Sequence, residues 1–423
     1  MMWYLTAFAL GVAAVLVALA AGRFTRPTDV LPWRAGGRYR RLLRYFKRNF
    51  SPRGRDVIVR EPPYSFSYGA GGKGRFRDLS QDINAERLAA WQLPVLRTPD
   101  DLAAWLDVPV NRLAWLSHRC RKGRPEGVRQ SHYHYRWLPK SSGGVRLIEA
   151  PKRELRAVQR QILTGILDRV PVPAAAHGFV RGRSIKTHAA VHAQPHVLVR
   201  IDLRDFYASV GFNRVVAIYR TIGYSREVAL WLARLTTSAL PTNLTGPPED
   251  PSAPWRYRRR HLPQGAPTSP ALANLSAYWL DKRLTGLAKS FGARYSRYAD
   301  DLTFSGDESL DPRLRVLIQL VEQIIRDERF HSNRQKRRVL RRHQRQIVTG
   351  VVVNDRPNVC RADFDRLKAV LHNCVQHGPA SQNREQHPNF ASHLRGRVAH
   401  VQQLNPVRGT KLLAVYERID WQR

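Results

Sequence analysis

Apolar positions recur at helical spacing in several parts of the chain. The clearest case runs from Leu155 to Val170, where apolar residues lie three or four positions apart until Pro171 ends the pattern, as in an amphipathic helix. A helix start at Thr98, followed by apolar positions that Pro109 interrupts, predicts two short core helices. Similar runs predict further helices at about 213–221, 270–289 and 312–329.

Shorter apolar runs predict strands between these helices. Two runs between Tyr133 and Glu149 flank Ser-Ser-Gly-Gly at 141–144, which is the composition of a hairpin turn. An apolar run at 196–202 ends in a carboxylate, and two further strands are expected around 293–305. Because strands and helices interleave, the sequence predicts a mixed body of the α+β class.

The N-terminal segment predicts a membrane anchor at 1–22. Residues 3–21 are 19 positions without a charged side chain, close to the ~20 that a helix needs to cross a bilayer. Residues 23–60 then hold 12 Arg and Lys against two acids, which favours a cytoplasmic body tethered to the inner membrane. The alternatives are a buried or interfacial helix, and an upstream start codon that adds residues never made in the cell.

The rest of the chain divides into three predicted segments. Residues 23–95 are basic and rich in Gly and Pro, which predicts a linker. Residues 96–354 carry the interleaved strands and helices, and residues 355–423 are expected to form a helical C-terminal segment.

Charge narrows the class of partner. The chain has 423 residues, a formal net charge of +38 and a hydrophobic fraction of 43%. The apolar fraction excludes a mainly disordered chain, and the charge favours a polyanion, with nucleic acid ahead of anionic lipid. The three scattered cysteines support neither a disulfide framework nor a structural zinc site, and indicate a reduced, intracellular protein.

Two adjacent acids, Asp300 and Asp301, mark the first candidate site. They follow Tyr298 and Ala299, between the two strands expected around 293–305. A tight turn directs both carboxylates outward, and two negative charges so close together are costly unless a cation shares them. Mg²⁺ suits this position because hard cations take oxygen ligands. Alone the pair is a weak signal, since Asp is frequent in surface turns.

A third carboxylate strengthens the metal prediction. Asp202 ends the strand at 196–202. If this strand lies beside the Asp300–Asp301 hairpin, the three carboxylates converge and can hold two divalent ions roughly 4 Å apart, a geometry suited to phosphoryl transfer. Of the residues that follow Asp202, Asp205 can equally be a helix cap, and Tyr207 an ordinary core aromatic.

A loop rich in Gly and Pro, residues 262–270, precedes the helix predicted at 270–289. It contains Gln264 and Gly265. Such a loop lets the backbone approach a ligand closely, although by itself it can be a rigid connector.

Taken in order, these three pieces resemble the palm of reverse transcriptases. Motif A is matched around Asp202, motif B at 264–270 and motif C at 298–301. The family that the chain resembles most within this superfamily is the retron reverse transcriptases. Further segments that resemble it are Lys140 with Arg146 in the hairpin, His177-Gly178-Phe179, Val348-Thr349-Gly350, Leu394-Arg395-Gly396 and Asn405-Pro406.

The resemblance spans about residues 130–423. It implies a right-hand polymerase in which residues 96–354 form the fingers and a palm with an antiparallel sheet. Residues 355–423 would be a helical, RNA-binding thumb. The reaction implied is RNA-templated DNA synthesis.

The resemblance also assigns the catalytic groups. It implies that Asp202, Asp300 and Asp301 bind two Mg²⁺, one of which lowers the pKa of a primer hydroxyl while the other neutralises the departing pyrophosphate. Lys336 resembles a motif D lysine that protonates pyrophosphate as a general acid.

Four more residues resemble nucleotide-binding positions of the family. Lys140 and Arg146 match fingers residues that grip the incoming triphosphate, and Arg suits bidentate phosphate contact. Gln264 would position nucleotide and template. Tyr207 resembles the steric gate that collides with a ribose 2′-hydroxyl and so selects dNTPs.

The family's behaviour implies the partners. A retron enzyme would use a cognate structured noncoding RNA as template and primer, start from an internal 2′-hydroxyl, and yield a branched RNA–DNA product (msDNA) from dNTPs. An effector protein and a role in anti-phage defence are implied in the same way.

Two segments need a separate interpretation. The retron NAxxH element appears with His188 in the Asn position and His192 at its end. A histidine pair four apart can chelate zinc on a helix, but no third ligand accompanies it, so RNA contact or a structural role is favoured. The run 334–345 holds seven Lys and Arg and no acid, which favours phosphate contact over a merely solvated helix face.

Two rival functions remain at this stage. One is another bacterial reverse transcriptase, of the group II intron or abortive-infection type. The intron type is disfavoured because no endonuclease or maturase extension is evident. The other is an inactive, membrane-tethered RNA-binding scaffold, against which the presence of all three candidate metal carboxylates argues.

Overall fold

The computed structural model describes residues 64–68, 74–117, 125, 127–140 and 143–422. The predicted anchor at 1–22 and most of the predicted linker lie outside these residues. Within them, no helix has both the length and the apolar character that a membrane crossing requires.

Ten strands and fourteen α-helices form within the described residues. The strands are β1 (Ser65–Tyr68), β2 (Gly74–Arg77), β3 (Tyr133–Pro139), β4 (Val145–Pro151), β5 (Val197–Asp202), β6 (Arg294–Tyr298), β7 (Asp301–Gly306), β8 (Arg338–Arg341), β9 (Ile347–Val348) and β10 (Val351–Val352). The helices are α1 (Ala85–Ala90), α2 (Pro99–Trp105), α3 (Val110–Leu116), α4 (Arg153–Gly165), α5 (Ile185–Val191), α6 (Phe206–Ser209), α7 (Phe212–Ile222), α8 (Arg226–Thr236), α9 (Ser269–Ser276), α10 (Tyr278–Ser290), α11 (Leu314–Asp327), α12 (Arg361–His377), α13 (Phe390–Leu404) and α14 (Pro406–Tyr416).

The chain divides into two compact units. The first comprises the described residues before Tyr133 together with Tyr219–Leu235 and Ala239–Thr245. It contains the two core helices expected after Thr98, and the side chain of Thr98 caps α2 by accepting the N–H of Asp101. The strand pair β1–β2 and helix α1 lie within the segment predicted as a linker, so its described part is folded.

The second unit contains a four-stranded antiparallel sheet in the order β6-β7-β5-β8. β5 is central, four of its six residues are apolar, and Val197, Leu198 and Val199 are buried, as expected of a strand covered on both faces. The antiparallel sheet and its two-strand hairpin around 293–305 are confirmed.

The predicted hairpin at 133–149 is also confirmed. β3 and β4 pair antiparallel, and the turn closes with the N–H of Lys140 donated to the carbonyl of Gly144 over 2.9 Å. Gly143 and Gly144 have φ of 85° and 75°, a conformation that glycine adopts without a steric penalty.

Two predicted helices have different bounds in the structure, and the basic run 334–345 forms a strand. The helix expected at 270–289 is split at Ala277 into α9 and α10. The helix expected at 312–329 begins with a 3₁₀ turn, Glu308–Arg313, that contains Pro312. The basic run 334–345 does not form a helix face: after a 3₁₀ turn at Arg334–Lys336 it becomes the edge strand β8, because Val339 and Leu340 pair with the buried strand β5.

The C-terminal helices share a hydrophobic core with the sheet. Leu367 and Leu371 of α12 and Leu394 of α13 pack in one cluster with Leu198 of β5 and Val348 of β9. The segment predicted as a separate thumb therefore lies in the same compact unit as the sheet.

Candidate active site

The sheet register brings the three predicted acids together along the backbone. Asp202, the last residue of β5, lies opposite Asp301, the first residue of β7. The N–H of Leu203 donates to the carbonyl of Asp300 over 2.9 Å. The strand that carries Asp202 thus lies directly beside the hairpin that carries Asp300 and Asp301, as the sequence predicted.

The turn between β6 and β7 has an unusual backbone. Tyr298 pairs with Asp301, which leaves Ala299 and Asp300 as the turn, and Ala299 has φ of 55°. A left-handed residue other than glycine costs roughly 1–2 kcal/mol. The neighbouring structure supports it, because Arg297 Nη1 donates to the Ala299 carbonyl over 3.0 Å.

Arg297 belongs to a buried polar network below this turn. Its Nε and Nη2 donate to the two oxygens of Asp281 over 2.8 and 2.7 Å, and neither side chain has exposed surface. Nη1 also donates to Oδ1 of Asn274 over 2.9 Å. Burial alone would lower the pKa of Arg297, but the Asp281 carboxylate outweighs it, so the pKa is raised and the guanidinium stays charged.

The site carboxylates are held in an unfavourable electrostatic environment. Burial, and then repulsion from Asp202 and Asp301, raises the pKa of Asp300 to about 6. Burial also raises the pKa of Asp301, against the opposing effect of Arg200. Oxygen donors that repel one another in a buried site fit a divalent cation, which would relieve both desolvation and repulsion.

Two of these carboxylates form ion pairs with neighbouring basic side chains. Lys336 Nζ lies 3.1 Å from Oδ1 of Asp202, and Arg200 Nη2 lies 3.3 Å from Oδ2 of Asp301. Within the described ranges, no three or more His, Cys, Asp or Glu side chains are arranged as a metal site. The backbones of the three acids converge, and the side chains of Asp202 and Asp301 pair with cations of the protein. That the three carboxylates hold two metal ions stays a prediction.

A cleft of about 1340 Å³ lies over the sheet end. Seven of the eight predicted site residues line it: Lys140, Arg146, Asp202, Tyr207, Gln264, Asp300 and Lys336. The eighth, Asp301, does not line the cleft, because its carboxylate pairs with Arg200 on the adjacent strand.

The nucleotide-binding candidates come from three separate segments around this cleft. Lys140 Nζ lies 3.4 Å from Oδ1 of Asp205, and Arg146 on β4 is exposed. Burial, with a further contribution from Asp300, raises the pKa of Tyr207, so its hydroxyl stays neutral. Asp205 occupies the cap position of α6, but its side chain does not cap the helix.

Motif B is joined to the hairpin at Gln264. Its carbonyl accepts the N–H of Glu149 over 2.9 Å. The next residue, Gly265, has φ of 131°, and a Cβ there would lie 3.0 Å from the Glu149 carbonyl oxygen. The loop therefore needs glycine to approach β4 this closely.

The two histidines of the NAxxH-like element have a structural role. His188 Nδ1 shares a hydrogen bond of 2.5 Å with Thr349, and His192 bonds Ser305 and Ser296 over 2.7 Å each. Burial lowers the pKa of His188 to about 3 and places that of His192 well below its ordinary range. Both stay neutral, and neither belongs to a group arranged as a metal site among the described residues.

Sequence reasoning missed three contributors to the site. Arg200 pairs with Asp301, Arg297 supports the turn, and Phe179 lines the cleft. A signal existed for Arg200, which is the one charged residue inside the apolar run before Asp202. Arg297 offered a weaker one, as a basic residue in a strand ahead of two acids.

The comparison with known families matches this geometry. The family described as "Reverse transcriptase (RNA-dependent DNA polymerase)" matches residues 138–353, which include the four-stranded sheet, strand β4 and the residues that line the cleft. The chain therefore belongs to the reverse transcriptase family, whose members generally use divalent metal ions. The match also supports the right-hand polymerase fold.

Similar proteins indicate which type of reverse transcriptase this chain is. The chain is 43% identical to the retron Mx65 reverse transcriptase of Myxococcus xanthus, covering 79% of this chain and 74% of that protein. It is 37% identical to the retron Mx162 reverse transcriptase of the same organism, and the match covers 78% of this chain and 68% of that protein. It is 27% identical to the retron Ec86 reverse transcriptase of Escherichia coli, and the match covers 80% of this chain and 94% of that protein. It is thus a retron-type reverse transcriptase, an RNA-directed DNA polymerase that uses an RNA template and nucleotides.

Proposed function

We propose that this enzyme copies part of a cognate structured noncoding RNA into single-stranded DNA, starting from an internal 2′-hydroxyl of that RNA. The product would be branched msDNA. The observation that best supports polymerase chemistry is the sheet register, which places Asp202 opposite Asp301. Asp300, the residue before Asp301, lines the cleft. The retron relatives support the choice of template.

Asp202, Asp300 and Asp301 are the residues that would hold the metal ions, which we take to be two Mg²⁺. When bound, such ions lower the pKa of the primer hydroxyl and neutralise charge on the departing pyrophosphate. For the ions to bind, the Asp202 carboxylate must release Lys336 and the Asp301 carboxylate must release Arg200. Both basic side chains are long enough to move aside.

The remaining groups bind and orient the nucleotide. Lys140 and Arg146, at the hairpin, contact the triphosphate, and Gln264 positions nucleotide and template. Tyr207 lines the cleft together with Asp300, so its ring would meet the ribose 2′-hydroxyl of a nucleotide bound there and select dNTPs. Lys336, released from Asp202 and 46% exposed, donates a proton to pyrophosphate.

The test uses the full-length protein purified with its upstream transcript. With dNTPs and Mg²⁺, we expect DNA that stays attached to RNA until the RNA is digested, and no product from Asp300→Ala. DNA synthesis only on ordinary primed templates would exclude the retron assignment in favour of another bacterial reverse transcriptase. RNA binding without any synthesis would favour the scaffold.

We also propose, from the family resemblance, that the product acts with an effector protein in anti-phage defence. From the sequence of residues 3–21, we propose that the enzyme is cytoplasmic and tethered to the inner membrane. If a carbonate wash of membranes releases the full-length protein, the tether is wrong. If phage infection is equally productive with the wild-type locus and with Asp300→Ala, the defence role is wrong.

A further inference from the structure

Phe179 is an exposed aromatic residue inside the catalytic cleft. It lines the cleft together with Ala299 and Asp300, yet 53% of its surface is exposed. Its φ is 60°, a left-handed conformation that costs roughly 1–2 kcal/mol for a residue with a bulky side chain. Burial of the ring does not explain this arrangement, so the strain points to a role outside folding.

The loop around Phe179 is fixed directly onto the catalytic turn. A Cβ on Gly178 would lie 2.6 Å from the Ala299 nitrogen, so only glycine permits the contact. Asn274 Nδ2 donates to the Gly178 carbonyl over 2.8 Å, and the N–H of His177 donates to the Arg297 carbonyl over 2.7 Å. The position of the Phe179 backbone is therefore set by the same network that supports the turn.

The other side of the loop is fixed as well. Arg183 Nη1 donates to the carbonyls of Pro173 and Ala174 over 3.0 Å each, and also to that of Ala176. Phe179 thus lies between two anchored flanks. A ring held in this way loses little conformational freedom when a ligand stacks on it.

The surroundings of the ring suit a nucleic acid. The Phe179 ring centroid is 6.3 Å from that of Tyr298, the residue that precedes the turn, with planes inclined by 43°. Arg156, Arg160 and Lys336 line the same cleft. Aromatic rings beside cations form stacking platforms for bases along a phosphate backbone.

We propose that Phe179 stacks on a nucleotide of the primer–template at its growing end, and so holds that end beside Asp300. This rests on the proposed polymerase function. It assigns Phe179 to binding of the primer–template and not of the incoming dNTP.

The test is Phe179→Gly in the full-length protein. Glycine adopts a positive φ freely, and the ring is exposed, so we expect the melting temperature to be unchanged or raised. With a labelled RNA–DNA primer–template and no dNTP, fluorescence anisotropy should show a dissociation constant raised about 5- to 150-fold, the range expected for one stacked base. Phe179→Tyr should restore binding, and Phe179→Leu should not.

Trp279→Ala is the matched control, because Trp279 is 66% exposed and does not line the cleft. It should leave binding unchanged. Three results would each overturn the proposal. The first is an unchanged dissociation constant in Phe179→Gly, and the second is equal binding by the Leu and Tyr variants. The third is a raised KM for dNTP with unaltered primer–template binding. Absence of extension by the wild-type protein would instead overturn the proposed function, and the binding comparison would still decide the role of Phe179.

Discussion

Asp281→Asn tests whether the buried network supports the catalytic turn. The substitution preserves shape but removes the charge that neutralises Arg297, and neither side chain has exposed surface. Removing one partner of a buried pair costs about 3–5 kcal/mol, because the other charge is left unpaired. Arg297 would keep its bonds to Asn274 and Ala299, so we expect the lower end, about 3 kcal/mol.

Urea denaturation followed by tryptophan fluorescence measures this loss of free energy of unfolding. The double variant Asp281→Leu with Arg297→Met separates folding from positioning. Replacing a buried pair by apolar residues is often neutral, so the double variant should regain part of the stability. It should not regain all of it, because buried polar atoms of Tyr295 and Asn274 lose their partners. It should not regain the DNA extension rate, because the Ala299 carbonyl has lost its donor and the turn is no longer held.

Two results would refute this reasoning. A loss of less than about 1 kcal/mol in Asp281→Asn would mean that the pair contributes little to the fold, in contrast to typical buried pairs. Recovery of both stability and extension in the double variant would mean that the network serves folding alone. Tyr295→Phe is a milder control, since it removes only the hydroxyl that donates to Asp281 over 2.8 Å and should cost about 1 kcal/mol.

Three further predictions concern the cleft. The pKa of Asp300 is raised from 3.8 to about 6, so the metal-free protein should gain stability as the pH falls from about 6 towards 4, where the folded state binds the extra proton. In urea titrations, Asp300→Asn should reduce that dependence, with Asp301 accounting for the remainder, and raise stability at pH 7 by about 3 kcal/mol. It should also abolish extension, and a pH profile equal to wild type would contradict the assignment. Tyr207→Ala should increase incorporation of ribonucleotides relative to dNTPs in single-nucleotide extension, and an unchanged ratio would remove its role as a gate. Lys336→Gln should slow the chemical step in rapid-quench experiments and leave primer–template binding within about twofold, whereas a change in binding alone would make Lys336 a phosphate contact.

The sequence was sufficient for elements with strong local signals. The hairpin at β3–β4 was predictable because Gly143 and Gly144 suit its turn. The pairing of β5 with the β6–β7 hairpin was predictable because Asp202 ends β5 and the hairpin turns at Asp300 and Asp301. The motifs of the family then indicated which residues face the cleft.

Contacts between distant residues were not predictable from the same patterns. The Arg297–Asp281 pair joins a strand to a helix, and no spacing rule relates a buried Arg to its partner. The pairing of Arg200 with Asp301 likewise depends on strand register, which determines which side chains become neighbours. The edge strand β8 within the basic run 334–345 was not predictable, because Val339 and Leu340 are too few to reveal a strand by alternation.

The hydrophobic cluster that joins α12 and α13 to β5 and β9 has a practical consequence for dissecting the enzyme. A fragment ending near residue 354 would leave the apolar side chains of Leu198 and Val348 facing water, so a minimal catalytic core made by trimming the C-terminus should be insoluble. Insertions and tags should be placed away from this cluster. A rigid-body movement of α12, α13 and α14 relative to the sheet would disrupt the shared hydrophobic core.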